Sequence, residues 1–392
     1  MDQSRYESRG VSSDKNEVHK AIQKLDQGLF KHSFCKVLPD PFSLDPENCM
    51  ILHADTAGSK TILAYLYWKE TGDISVWNGI AQDALVMNLD DMACSGAIDQ
   101  FVISNTILRN KKLIPGEVLE SIIDGTIAFI DNMKKYGVHI HHAGGETADV
   151  GDVVRTIDVG YTAYTQINRS KVFDNHIQAG DQILGIGSFG KASYESDYNS
   201  GIGCNGLTSA RHDVLNKYYA ETFPESFDDS IEKNLVYSGK YRINDIVQEN
   251  SLTHQVGKLL LSPTRTYLPL LQKLFTNKID SGIHGIIHCT GGAHSKVLKF
   301  VDGVKIIKDN LPTPPAIFNI IQDCSGASLY ELYKVLNMGI RLEIYGSESA
   351  LSKVKMYADE LDLPNQIIGR VEKSDDFNSS VIMKVNGEAW TY

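Results

Sequence analysis

Between Ala81 and Ala93 the chain wraps Leu85, Val86, Met87, Leu89 and Met92 around most of a helical circumference, leaving little polar face. Such a helix is stable only when other layers cover it, so the fold must be built around it. The same stretch carries Asp83, Asp90 and Asp91. Seven or eight residues make two turns, so Asp83 projects near the face that bears the Asp90–Asp91 pair. Carboxylates taken out of water are costly unless they are paired or bind a cation. The spacing therefore predicts acidic groups aimed at a metal or a basic partner, the competing reading being a solvated helix face.

A second acidic stretch sits beside glycines. Val138-His139-Ile140-His141-His142 reads as a strand that ends in Gly144-Gly145-Glu146-Thr147-Ala148-Asp149. Two residues without Cβ let backbone N–H groups close on phosphate, and Glu146 can hold the cation that neutralises it. Upstream, Met50 to Asp55 is a short buried strand delivering Asp55 into a Thr-Ala-Gly turn, with Lys60 five residues on. This is not a P-loop: Ser59 separates Gly58 from Lys60, and no earlier glycine precedes them. A carboxylate for Mg²⁺ and a lysine for phosphate remain compatible with the segment, as does a plain surface turn. His288-Cys289-Thr290-Gly291-Gly292 repeats the strand-to-glycine design, either as a second phosphate- or base-binding loop or as a strand-ending turn.

Two other motifs carry less. Gly185-Ile186-Gly187-Ser188-Phe189-Gly190 matches G-x-G-x-x-G after a strand, but a polar stretch follows where a dinucleotide fold needs a helix, so a tight turn is the better reading. Alternation places His139 and His141 on one face and His142 on the other, with no third ligand at a zinc spacing, so these read as structural histidines.

The 392 residues suit two domains, and helical and strand patterns alternate through most of them, which favours an α/β (α+β) enzyme-like class. The expected division is a polar arm over 1–45, with a helical stretch around Val18–Leu25, then domains over 46–168 and 169–392. Pro115 to Tyr136 is the clearest helix, and 216–256 reads as an elaborated surface segment. A formal charge of −11 argues against nucleic-acid binding, while divalent metal can still bring phosphorylated small molecules to an acidic protein. Six scattered cysteines with no C-x-x-C pair, a polar N-terminus and no membrane-length apolar run point to a reduced, cytoplasmic protein.

In order along the chain, these segments resemble the phosphoribosylformylglycinamidine cyclo-ligase (AIR synthetase) family. Asp55-Thr56-Ala57-Gly58-Ser59-Lys60 is similar to its T-D-G-V-G-T-K, and Leu89-Asp90-Asp91-Met92 with Gly96-Ala97 to V-N-D-L…G-A. Gly144 to Asp149 resembles G-G-E-T-A-E, the most specific match. Ser200-Gly201 with Asn205-Gly206, Ser262 to Tyr267, His288 to Gly292 and Asn337-Met338-Gly339 resemble S-G-x-H-S-N-G, A-P-T-R-x-Y, H-x-T-G-G-G and N-x-G. Tyr6 and Gly10-Val11 are similar to the family's mobile N-terminal arm.

The resemblance implies two α/β domains, a homodimer whose N-terminal sheets pair into a barrel, and an ATP site near that interface. It implies phosphorylation of a substrate amide oxygen by ATP with Mg²⁺, then closure of an imidazole ring with loss of phosphate. Carried over by position, Asp55, Asp91 and Glu146 would organise Mg²⁺, and Lys60 would meet phosphate. Gly144, Gly145 and Thr147, with Asp83 and Asp90, would belong to the nucleotide site. Asn205, His288, Thr290, Gly291 and Gly292 would line the nucleotide or substrate cleft, and Lys60, Asp91 and His288 would serve catalysis. The chain departs from the pattern at Gly203 and Cys204, where the family has histidine and serine. It also departs at Asp90, at Ala293, in Ser12-Ser13-Asp14-Lys15-Asn16 and in extensions after Lys60 and over 212–256. These leave two other readings open: another ATP-dependent phosphotransferase of the same superfamily, and a nucleotide-binding regulator without turnover.

Overall fold

A computed structural model describes residues 5–11, 20–21, 24–249, 252–278, 281–375 and 378–392. The Ser12–Asn16 piece of the arm lies outside the described residues, as do Val18 and Ile22 of the helical stretch expected there. The apolar helix is the spine of the first half. It spans Val76–Ala93 (α2), follows α1 (Lys60–Thr71), and is buried along nearly its whole length. Helix α3 (Gly116–Lys134) packs beside it, burying Val118, Ile122, Phe129 and Met133.

These helices cover one face of a five-stranded sheet made of β1 (Leu38–Pro39), β2 (Asn48–Thr56), β3 (Gln100–Arg109), β4 (His139–Asp149) and β5 (Ile157–Asn168). Its order is β1-β2-β5-β3-β4, antiparallel except for the β3/β4 pair that α3 connects. Alternation in β3 sends Phe101, Ile103 and Ile107 to the helices. The opposite face is left open, with Leu52 59% and Val102 40% exposed.

The second half is a seven-stranded, mainly antiparallel sheet. Its strands are β6 (Gln182–Gly187), β7 (Ile283–His288), β8 (Val304–Lys308), β9 (Ile340–Gly346), β10 (Asn365–Lys373), β11 (Ser380–Val385) and β12 (Glu388–Thr391), in the order β7-β9-β6-β10-β8-β11-β12. No helix follows Gly185–Gly190; the next begins at Leu207 (α4, Leu207–Val214), which rules out a dinucleotide turn there. Helix α5 (Leu268–Thr276) packs on α2 and so joins the halves.

Two expectations need correction. The arm ends before residue 45: Cys35 and Val37 are core residues and Leu38–Pro39 is already a strand. Residues 216–256 are not a surface elaboration, because Tyr219, Tyr237 and Ile243 are fully buried there. Their tyrosines pack ring on ring, a pattern that helical or strand periodicity does not reveal. Among the described residues no helix is long and apolar enough to cross a membrane.

Candidate functional site

A cleft of about 530 Å³ opens between the two halves. From the first half come the end of β2 and the turn after it, His53 to Ser59, together with Met87 and Asp91 of α2. The second half contributes Cys204, Asn205, Gly206 and Thr208 at the start of α4, and the Thr290–Gly292 turn after β7. Lys296, Lys299 and Lys334 line it as well. Ser59 and Thr208 bridge the halves through their hydroxyls, 2.7 Å apart. Tyr6 reaches the cleft from the N-terminal segment, which Arg9 fixes in place. The buried Arg9 guanidinium donates to the Leu235 and Ser209 carbonyls and pairs with Asp213 at 2.9 Å.

Asp91 is the carboxylate whose state the surroundings define most closely. His288 Nδ1 donates to Asp91 Oδ1 at 2.6 Å, and His53 Nε2 lies 3.7 Å from Asp91 Oδ2. Burial alone would raise the Asp91 pKa, but the His288 hydrogen bond and nearby positive groups, including Lys296, hold it below the ordinary range. Burial, with the Arg341 charge, pushes His288 down to about 4 against the pull of Asp91. His288 is therefore a neutral imidazole at neutral pH. It lies behind Asp91, fully buried, with no hydrogen-bond partner on Nε2.

Asp55, Asp91, Asn205, Thr290, Gly291 and Gly292, singled out from sequence, thus share one cleft. Lys60, Asp83 and Asp90 do not reach it. Lys60 is buried and donates to Asp83 Oδ1 at 2.8 Å and to the Ser262 carbonyl at 2.6 Å. Asp83 Oδ1 also accepts from the Thr264 N–H and hydroxyl. Asp90 accepts from the Thr266 hydroxyl at 2.6 Å and the Tyr267 N–H at 2.8 Å. Burial raises its pKa to about 7, against the lowering pull of Arg341 and these donors. The two aspartates expected at a nucleotide are therefore staples that fasten α2 to Ser262–Tyr267, and Lys60 neutralises one of them.

The glycine pair is placed differently from expectation too. Strand β4 runs through Gly144–Thr147 rather than ending before them, on the exposed edge of the sheet. Gly144 has φ +93°, at a register shift between β3 and β4, and a Cβ on Gly145 would collide with the oxygens of Asn105. The pair serves a bulge within its own chain. Glu146 sits in line with Thr106, Gly160 and Thr56, three strand spacings, or roughly 14 Å, from the end of β2. Within one chain Glu146 does not meet Asp55 and Asp91, and among the described residues no three acidic, histidine or cysteine side chains form a metal-holding group. His141 and His142 bond to Gln100 and Asn105 on the surface.

Sequence reasoning missed His53, Lys296, Lys299 and Lys334. His53 had a signal, since residues two apart on a strand share a face and Asp55 was already a candidate. Lys296 and Lys299 stand three apart just after Gly291-Gly292, the spacing of one turn of the 3₁₀ segment Ala293–Lys299. Gly203, where the family motif has histidine, has φ +68°, a left-handed conformation that glycine adopts without steric cost. Cys204 faces the cleft with its thiol pushed up to about 12, mainly by burial, so it is held protonated.

The model for the N-terminal domain of AIR synthase related proteins matches residues 35–167, and the model for their C-terminal domain matches residues 178–382. A phosphoribosylformylglycinamidine cyclo-ligase of Methanocaldococcus jannaschii is 28% identical over 387 residues, covering 96% of this chain and 95% of the relative. One of Saccharolobus solfataricus is 28% identical over 354 residues, covering 89% and 88%. Among solved structures, hydrogenase maturation protein HypE superposes with a TM-score of 0.52 at 14% identity, covering 89% of each chain. PurL of T. maritima, complexed with ADP, gives 0.53 at 10% identity, covering 99% of this chain and 49% of that one. AaThiL, complexed with AMPPCP and TMP, gives 0.51 at 12% identity, covering 96% and 95%. At these identities the structures speak to the fold.

Proposed function

The chain belongs to the AIR synthase related protein family, and on that footing we propose that it is an ATP-dependent cyclo-ligase of purine biosynthesis, converting formylglycinamidine ribonucleotide to aminoimidazole ribonucleotide in the cytoplasm. The observation that carries this reading is the make-up of the interdomain cleft. Carboxylates Asp55 and Asp91 face it from one half, and Lys296, Lys299 and Lys334 line it from the other. A metal-bound triphosphate and a phosphorylated substrate need both signs of charge in one place.

Asp55 and Asp91 would hold the divalent cation: both line the cleft, and the His288 hydrogen bond helps to keep Asp91 ionised. Bound Mg²⁺ would supply charge neutralisation for the phosphates during transfer. The chain's own groups then orient the reactants. Thr290, already bonded to Lys296, and the Gly291–Gly292 backbone would present donors to phosphate oxygens, and Asn205 would hold the substrate. In the proposed reaction the amide oxygen attacks the γ-phosphorus and ADP leaves. A substrate nitrogen then attacks the activated carbon, and the C–O bond breaks to release phosphate. The protonated Cys204 supports a route with no protein-bound intermediate.

The reading includes a homodimer. A second copy would cover the open sheet face around Leu52 and Val102, and Glu146, with Gly144, Gly145 and Thr147, would act on nucleotide at that interface rather than within its own cleft. A second reading, transfer to a different acceptor, draws on Gly203 and Cys204, which alter the acceptor end of the cleft. One assay separates the two. With Mg²⁺, ATP and formylglycinamidine ribonucleotide, ADP and aminoimidazole ribonucleotide should form in equal amounts. ATP binding by the folded protein without that product would overturn the first reading, and ADP release with another acceptor would establish the second.

A further inference from the structure

His53 stands in the cleft two residues before Asp55 on β2, on the same face of the strand, with its side chain a quarter exposed. Its tautomer follows from its neighbour. Asn88 donates through Nδ2 to the carbonyls of Asp55 and Ala84, at 3.2 and 2.9 Å, so its Oδ1 is the atom turned to His53. His53 Nδ1, 3.1 Å away, must then carry the hydrogen and donate it. Nε2 is then the nitrogen turned to Asp91, and it faces Asp91 Oδ2 across 3.7 Å. That distance is beyond hydrogen-bond reach. The gap is of the size that one cation spans, since metal–nitrogen and metal–oxygen bonds each run to roughly 2.1 Å.

Resting on the cleft being a metal–nucleotide site, we propose that His53 is a nitrogen ligand to its divalent cation, sharing the ion with Asp91. An imidazole beside carboxylates is a poor match for Mg²⁺, which takes oxygen ligands, and a better one for a softer divalent ion such as Mn²⁺. The ion is held jointly with nucleotide, because among the described residues no three acidic, histidine or cysteine side chains form a metal-holding group, so phosphate oxygens must complete the shell that His53 and Asp91 begin.

The probe is Mn²⁺ with the methylene analogue of ATP, bound to the full-length chain with and without ¹⁵N-labelled histidine. Pulsed EPR should detect a directly coordinated imidazole nitrogen that changes on ¹⁵N labelling and disappears in His53→Ala. By calorimetry, His53→Ala should weaken Mn²⁺ binding about tenfold or more and Mg²⁺ binding by no more than about threefold. His141→Ala, on the sheet surface, should leave the signal intact. A Mn²⁺–nucleotide complex without histidine nitrogen coupling, or with coupling that survives His53→Ala, would overturn the role of His53 while leaving the metal–nucleotide reading standing. Failure of Mn²⁺ and nucleotide to bind together at all would bring down both.

Discussion

Replacing the Asp91 carboxylate by the isosteric amide keeps an oxygen for the His288 Nδ1–H to bond but removes the charge turned toward the cleft. Asp91→Asn is therefore expected to weaken Mg-ATP binding at least tenfold by calorimetry, with unfolding free energy changed by less than about 1 kcal/mol. His288 gives a pH test of the same pair. Its folded pKa, about 4, lies below its unfolded value, so the fold favours the neutral ring. That contribution is complete above about pH 6.5 and is lost as pH falls toward 4. Between pH 7 and pH 5, urea unfolding should show a loss of roughly 2 kcal/mol that is absent in His288→Gln. Asp55 and Asp91 drew notice in the sequence as charges at a strand end and on an apolar helix, and both line the cleft, although the strand end proves half-exposed rather than buried. Lys60 misled because its partners, Asp83 and the Ser262 carbonyl, are fixed by a segment 202 residues away.

Helix α2 shows why an element can be predicted while its role is not. Its burial was evident from the ring of apolar side chains, yet which aspartate faces the cleft and which faces protein depends on where Ser262–Tyr267 lies against it. Removing the Lys60 charge leaves Asp83 buried with one donor fewer. Lys60→Met is expected to cost about 3–5 kcal/mol in denaturant unfolding, and adding Asp83→Asn, which still accepts from the Thr264 N–H, should recover most of it. If Lys60→Met instead kept full stability and lost phosphate affinity, the staple assignment would fail. The Gly144–Gly145 pair was misread for a related reason. Its glycines satisfy a positive φ and the close approach of Asn105, demands of the β3/β4 ladder that a motif cannot display.

For the whole molecule, the two-domain α/β architecture was legible because strand and helix periods alternate clearly outside 216–256. The cleft was legible only in halves. Each half supplies groups that make sense once they face each other, and that facing is set by α2 against α5 and by Ser59 against Thr208. The basic rim escaped notice because Lys296 and Lys299 share only one short 3₁₀ segment, while Lys334 comes from a separate helix, Leu329–Val335. If this cleft performs the proposed cyclisation, the substrate's amide oxygen must leave as part of inorganic phosphate. The most direct measurement is turnover of formylglycinamidine ribonucleotide carrying ¹⁸O in that amide, followed by mass analysis of the phosphate. One ¹⁸O per phosphate released is the predicted result; phosphate free of label alongside ADP formation would contradict it.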